Sequence, residues 1–435
     1  MSTESSLESE PLGFYGRSGG RFTARIPADA PLEKPRKTWR FSVTLANLGV
    51  YTAWFGPIQV LLGLQAAAIA PDHKEYVLSL VTGVGAFVSA IGNPVFGALS
   101  DRTTSRFGRR LPWVFWGTAI GALGLVGLAF AGSVWAMVVA WALVQASLNA
   151  MYAAITATIN DQVKIEYRGQ MGGWLGIGQT VGVVAGTGVA AAVSGITAGY
   201  LVCAALLVAF VLPYLFTSRD RFLRRKPGDF HLLAFLQRFW VSPKKYPDFA
   251  WTWASRFLIN LSNALCTLYL LFYLMDAVKY QDAEIGVFIL SGLYALFTVA
   301  STLLAGMASD RMGQRKPLVI ASGIVMAISA AVLAGLQTWP GAIVGAILLG
   351  IGYGIYVSVD FALTTQVLPP TNDAARDLGV INIAAALPQA LAPVLAAPLV
   401  KAFSDYTAGY AALYVLAAVV AVLGALLVTR VKSVR

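Results

Sequence analysis

Twelve apolar stretches, each close to the roughly 20 residues a helix needs to cross a bilayer, follow one another through this 435-residue chain with little between them. They cover about 41–64, 76–99, 112–131, 134–159, 170–193, 197–216, 251–275, 284–307, 317–337, 341–367, 378–402 and 408–429. Lys and Arg fall on every second connection. Twenty-eight of the 32 lie before span 1, after spans 2, 4, 6, 8 and 10, or after span 12. Lys74, Lys279 and Lys401 occupy the other set of connections, and Arg256 lies inside a span. Cytoplasmic loops carry the Lys and Arg excess of a membrane protein, so both termini are expected in the cytoplasm and the chain in the cell membrane. One missed helix would scramble the alternation, so the charges also support the count.

The same pattern explains the composition. Charged residues make up 12% of the chain, half of the roughly 25% usual in soluble domains, so no large soluble domain is left over. The net charge of +11 would suggest nucleic acid in a soluble chain, but here it belongs to topology and no nucleic-acid partner is expected. Cys203 and Cys266 sit inside apolar runs, and His73 and His231 lie far apart in connections. Neither a disulfide framework nor a metal or other cofactor is therefore expected. No phosphate-binding loop, metalloprotease helix or nucleophile elbow occurs, which argues against an enzyme and an ATP-driven pump.

Five segments follow. Residues 1–38 form a polar tail rich in Ser, Gly and Pro that is expected to be disordered and carries no signal-peptide core. Residues 39–216 and 251–430 hold six spans each, and 431–435 are a second cytoplasmic tail. Between them, 217–250 begins with a basic run, Arg219 to Lys226, suited to an anionic lipid surface. Phe230, Leu233, Phe235, Leu236 and Phe239 then recur at helical spacing, which predicts an amphipathic surface helix.

The two halves share a motif. Gly97-Ala-Leu-Ser-Asp-Arg102 ends span 2 and leads into Arg106, Arg109 and Arg110; Gly306-Met-Ala-Ser-Asp-Arg311 ends span 8 and leads into Arg315 and Lys316. Two copies about 200 residues apart indicate a duplicated membrane domain. The fold expected is an all-α polytopic membrane protein, with twelve transmembrane helices in two pseudo-symmetric six-helix bundles. These loops, the twelve spans and the basic linker resemble the major facilitator superfamily. The insertion Thr103-Thr-Ser-Arg-Phe107 before Gly108-Arg-Arg-Leu-Pro112 is similar to the glycoside–pentoside–hexuronide cation symporters and their sucrose-transporter-like relatives. So are Asn160-Asp-Gln-Val163 with Arg168-Gly169, Ser358-Val-Asp-Phe-Ala-Leu363, and Asp377-Leu-Gly-Val-Ile-Asn382 with Leu387-Pro-Gln389. The resemblance implies a gating role for Asp101, Arg102, Arg109, Arg110, Asp161, Arg168, Asp310, Arg311 and Arg315, through contacts that close the cytoplasmic side and break when it opens. On physical grounds Asp101 suits a helix N-terminus, and Arg109 and Arg110 suit acids at nearby helix ends such as Asp161. A purely topological basic loop is the plainer alternative, but it would need no aspartate.

Polar side chains inside a bilayer are costly unless they face protein or a water-filled path. Stripes at helical spacing occur as Asn47, Tyr51 and Trp54 on span 1; Gln145, Asn149, Tyr152 and Thr156 on span 4; Asn260, Asn263 and Thr267 on span 7; and Tyr353, Tyr356 and Thr364 on span 10. Span 11 adds Asn382 and Gln389. Amides, hydroxyls and aromatic faces together suit a small polar solute such as a sugar; helix-to-helix gluing is the structural alternative. The glycine ladders Gly178, Gly182, Gly186 and Gly117, Gly121, Gly124 read as close helix contacts. Gly350, Gly352 and Gly354 predict local unwinding of span 10, and Pro388, Pro393 and Pro398 a kinked span 11.

Arg256 and Asp360 are the ionised side chains clearly inside spans. At about 1.5 Å rise per residue they reach comparable depth in the cytoplasmic half and are expected to pair. Span 2 has no acid between Glu75 and Asp101, where the resemblance to the cation symporters implies carboxylates for a sodium-coupled design, so protons are the expected coupling ion. The sequence thus leads to a proton-coupled symporter for a sugar or glycoside-like solute, working as a monomer in the bilayer. A proton-driven exporter of drugs or metabolites shares the fold. A non-transporting scaffold or lipid-handling protein would leave the polar stripes without purpose.

Overall fold

The computed structural model describes residues 25–27, 32–222, 242–312, 314–367 and 374–432, apart from the side chains of 25–27, Ile165, Asp310, Phe361, Ala362, Thr365, Gln366, 374–379, Ile381 and Asn382. The first half holds α1 (Lys37–Ile69), α2 (Lys74–Asp101), α3 (Leu111–Ala129), α4 (Val134–Gln162), α5 (Ile165–Ala192) and α6 (Ile196–Thr217). The second holds α7 (Pro247–Leu268 continuing as Leu270–Ala277), α8 (Ala283–Met312), α9 (Lys316–Gly335), α10 (Trp339–Gln366), α11 (Ala374–Lys401) and α12 (Tyr406–Leu427). Eleven of these are single helices long and apolar enough to span a membrane, and α7 makes twelve if its two parts, bent by 43°, count as one span.

Local chemistry sets several boundaries. Pro112, Pro247, Pro317 and Pro340 sit in first turns, where a missing N–H costs nothing. Ser133 and Thr338 accept from the backbone N–H three residues on, capping α4 and α10. The symmetry-related α1 and α7 each carry a five-residue π segment, Pro57–Leu61 and Tyr273–Ala277.

Each half packs by the same rule. In the first, α1 lies against α5 and α6, α2 against α4, and α3 against α4 and α6; in the second, α7 lies against α11 and α12, α8 against α10, and α9 against α10 and α12. The halves meet along α2–α11 and α5–α8. Glycines set the closest approaches. A Cβ on Gly178, Gly182 or Gly186 would stand 2.6–2.7 Å from the Thr44, Leu48 and Thr52 carbonyls of α1. Large apolar side chains such as Phe87, Trp116, Phe130, Trp135 and Leu303 stand more than half exposed on the outside, as a lipid-facing surface requires.

The structure revises three expectations. The tail is not wholly without structure: Arg25–Pro27 (β1) pairs in parallel with Asp220–Phe222 (β2), and Glu33 bonds through its backbone to Gln162 and Lys164. Helix α1 also begins at Lys37 rather than near 41. Span 10 does not unwind. Its glycines let neighbours approach, since a Cβ on Gly350 or Gly354 would meet the Tyr294 or Thr298 carbonyl of α8, and one on Gly352 would meet α9. Helix α11 keeps its three prolines within one helix. The amphipathic segment Phe230 to Phe239 lies outside the described residues.

Candidate functional site

A cavity of about 1220 Å³ lies between the halves, walled by residues of α1, α2, α4 and α5 on one side and α7, α8, α10 and α11 on the other. It runs to Asp101 and Asn160, both exposed at the ends of α2 and α4, and so opens on the arginine-rich face.

Three aromatic rings dominate the first wall. Tyr51, Trp54 and Tyr152 meet edge to face with centroids 5.5–6.0 Å apart. Beside them Ser89 donates to Asn149 Oδ1 at 3.1 Å, and Asn149 Nδ2 donates to Gln145. The second wall is built from tyrosine–amide pairs. Tyr353 donates to Asn260 Oδ1 at 3.2 Å, and Tyr294 to Asn263 Oδ1 at 3.1 Å. Gln389 of α11 completes the lining.

Behind the second wall is a mostly buried ion pair, its side chains 15% and 13% exposed. Arg256 Nη1 contacts Asp360 Oδ2, and the Tyr356 hydroxyl donates to Asp360 Oδ1 at 2.6 Å. The Tyr356 ring lies 6.0 Å from that of Tyr353, so one aromatic contact joins the pair to the cavity wall, while Asn260 Nδ2 donates to the Arg256 backbone oxygen at 2.8 Å.

Most of the striped residues come together. Tyr51, Trp54, Gln145, Asn149, Tyr152, Asn260, Asn263, Tyr353 and Gln389 all line the cavity. Two do not. Asn47 is buried and donates to the Leu175 carbonyl at 2.7 Å, tying α1 to α5; Tyr356 belongs to the ion-pair network. The side chain of Asn382 lies outside the described residues. Spacing missed Asn93 of α2 and Ser291, Tyr294 and Thr298 of α8, all in the lining. The signal was present, since Ser89 and Asn93 are four apart, and Ser291, Tyr294 and Thr298 fall on one helical face.

Of the expected gating residues, Asp101, Arg109, Arg110 and Asp161 gather in one network within the first half. Asp161 receives Arg109 at 2.5 Å and Arg110 at 2.9 Å, while Arg110 also holds Asp101 and the Ser100 hydroxyl. Arg168 donates to the Asn160 and Val163 carbonyls at the end of α4. Asp220 of β2 accepts from the backbone N–H of Arg110 and Leu111 at 2.6 and 2.7 Å; its burial pushes the carboxyl up to about 6. A Cβ on Gly108 (φ +104°) would stand 2.3 Å from this carboxylate. Arg102 sits at the C-cap of α2, Arg311 is exposed and Arg315 precedes α9; the Asp310 side chain lies outside the described residues. These pairs tie the α2–α3 loop to α4 and the linker, and they are intact with the cavity open on their own face.

What joins the halves lies at the opposite face, and spacing gave no warning of it. Lys74 of α2 pairs with Asp276 of α7 at 2.6 Å, and Lys401 of α11 with Glu75 of α2 at 3.3 Å. Glu75 is fully buried. Tyr269 of α7 donates to the Glu75 carbonyl at 3.1 Å and approaches that of Pro393 at 3.4 Å. Lys401 also donates to the Tyr406 hydroxyl at 2.9 Å. Four helices thus converge in one clasp that shuts the cavity.

The family model described as Major Facilitator Superfamily matches residues 41–291 and 252–435. No curated protein matches the sequence. Among solved structures, the chain is similar to a mutant of the nucleoside transporter NupG at 15% identity, covering 90% of this chain and 99% of that one, with a TM-score of 0.72. It is similar to the peptide transporter POT in complex with sulfate at 12% identity, covering 94% and 97%, TM-score 0.73. A bacterial homologue of the human lysosomal transporter Spinster, inward-facing and occupied, gives 16% identity, coverage of 91% and 97%, and TM-score 0.71. At these identities the likeness is one of fold.

Proposed function

We propose, from the premise that this chain belongs to the Major Facilitator Superfamily and is a multi-pass membrane transporter of that type, that it carries a small polar solute, sugar or glycoside-like, by alternating access. Within the superfamily we place it beside the glycoside–pentoside–hexuronide symporters. In this reading it acts as a monomer in the cell membrane, with the arginine-rich face and both termini in the cytoplasm. One observation carries the proposal. A cavity walled by amides, hydroxyls and aromatic rings is open at one face and shut at the other by side chains that cross between two equivalent halves. Opening the clasp and closing the opposite mouth would deliver the same walls to the other side.

Coupling is assigned to Asp360. Its carboxylate is held by Arg256 and Tyr356. A proton on it removes the charge that Arg256 pairs with, leaving a buried cation to find a new partner. Tyr356, which donates to Asp360, lies beside Tyr353 with ring centroids 6.0 Å apart, so a shift of the pair alters the wall that meets solute.

Purified protein in proteoliposomes tests both parts. The Asp360→Asn variant is expected to lose uptake driven by a pH gradient while keeping solute counterflow. Uptake that still follows the pH gradient would remove Asp360 from coupling. A thermal-shift panel of sugars, glycosides, amino acids and cationic drugs is expected to respond to the sugars and glycosides; stabilisation by lipophilic cations alone would favour an exporter.

A further inference from the structure

The solute class can be narrowed, on the premise that the cavity is the transport site. Apart from Asp101 at the mouth, every described side chain lining the cavity is uncharged. The Arg256–Asp360 pair is absent from the lining and each charge has its counter-charge in the other, while Arg256 Nε is left a buried donor with no acceptor. Carriers of this geometry pass through a state closed at both faces. An ionised solute would enter that state without a counter-charge, and a buried unpaired charge is severely penalised.

The two walls also differ in chemistry. Among the described residues, neither Trp54 nor Tyr152 stacks face to face on another ring; their mutual contacts are edge-on. An edge-to-face contact covers at most one face of a ring and leaves its opposite face out of that contact. Trp54 Nε1 is a buried donor with no acceptor, so the indole offers the cavity its ring and not its N–H. Opposite, Asn263 spends its Oδ1 on Tyr294, while its amide nitrogen and the whole Gln389 amide make no hydrogen bond among the described residues. Such groups read hydroxyls directionally. The cavity of about 1220 Å³ exceeds the roughly 300–1,000 Å³ usual for a drug-sized ligand, so a single hexose would leave much of it filled by water.

We infer that the site is built for an uncharged two-part solute, a polyhydroxylated sugar ring joined to a flat group, with the flat part on the Tyr51–Trp54–Tyr152 wall and the hydroxyls on the Asn263–Gln389 wall. Nucleosides and aryl glycosides share this chemistry.

Counterflow in proteoliposomes separates the possibilities, with uridine, p-nitrophenyl β-D-glucopyranoside, D-glucose and L-lysine as probes. Uridine or the aryl glucoside is expected to exchange with a half-saturation at least about tenfold below that of D-glucose, and L-lysine not to exchange. Which of the two is preferred identifies the flat group. Trp54→Ala is expected to erase most of that advantage, whereas Asn263→Ala weakens the preferred probe and D-glucose alike, by about tenfold if one hydrogen bond is lost. Exchange of L-lysine at a comparable rate would overturn the inference, as would D-glucose matching the two-part probes, or none of the probes exchanging. In each case the carrier reading is judged separately, by whether access to the cavity alternates between faces. Alternation without uptake of these probes sinks only the solute class; no alternation sinks both.

Discussion

Replacing Asp276 with Asn should release the clasp and shift the protein toward a state open at the opposite face. The Lys74 and Asp276 side chains are 11% and 13% exposed and 2.6 Å apart. A solvent-exposed pair contributes at most about 1 kcal/mol, and stranding one partner of a fully buried pair costs about 3–5 kcal/mol. At this burial the loss should be about 2–3 kcal/mol, which at about 1.4 kcal/mol per tenfold is a shift of roughly 30- to 150-fold in the closed-to-open ratio. The change can be read at Thr82, which lines the cavity two turns along α2 from the clasp. A Thr82→Cys reporter, with Cys203 and Cys266 changed to Ser, would be labelled by a membrane-impermeant maleimide supplied from the clasp side. Asp276→Asn should speed labelling by a factor in that range, and the exchange of charges in Lys74→Asp with Asp276→Lys should restore the slow rate. Labelling at the parental rate in Asp276→Asn would show that this pair does not hold the halves together.

Other consequences are separable. Asp161 holds two arginines and is mostly buried, whereas Asp101 is 58% exposed on its side chain. Asp161→Ala should therefore cost about 3 kcal/mol of stability and Asp101→Ala less than about 1 kcal/mol, in detergent unfolding monitored by Trp fluorescence. Gly186→Ala forces a Cβ to within 2.7–2.8 Å of Thr52 and Gly56 in α1; overpacking of this kind costs about 1–3 kcal/mol and should lower the melting temperature. Burial raises the Asp220 carboxyl to about 6 from an ordinary value of 3.8. Docking of β2 therefore favours the protonated acid, and it should weaken as pH rises from about 4 through 6 and level off above. Protection factors of the β2 and Leu111 amides in hydrogen exchange should follow that course, and Asp220→Asn should flatten it.

Much of the fold was legible because the bilayer imposes it. Apolar runs and alternating basic connections define twelve crossings, and the repeated Ser-Asp-Arg loops reveal the duplication. The pairings of Arg256 with Asp360 and of Arg109 and Arg110 with Asp161 followed from depth and position along helices. Spacing identified polar faces, but it could not say what each face meets. Asn47 and Tyr51 share one stripe, yet the first bonds to α5 and the second lines the cavity. The glycines of span 10 carried the same ambiguity between loose backbone and tight packing. Lys74 and Lys401 stood out only as exceptions to the charge rule, and nothing local ties them to Asp276 and Glu75 some 200 and 326 positions away in the chain. Three-residue strands such as Arg25–Pro27 are too short to show any period.

Rocking of the two halves about the cavity is tested most directly by two distances measured in the same preparation. Spin labels at His73 and Phe403 would report the clasp face, and labels at Thr104 and Met312 the arginine-rich face; all four positions are exposed. Pulsed electron paramagnetic resonance should find a second population, enriched by Asp276→Asn, in which the clasp-face distance lengthens as the other shortens. Two distances that stay fixed, or that change in the same sense, would contradict alternating access in this protein.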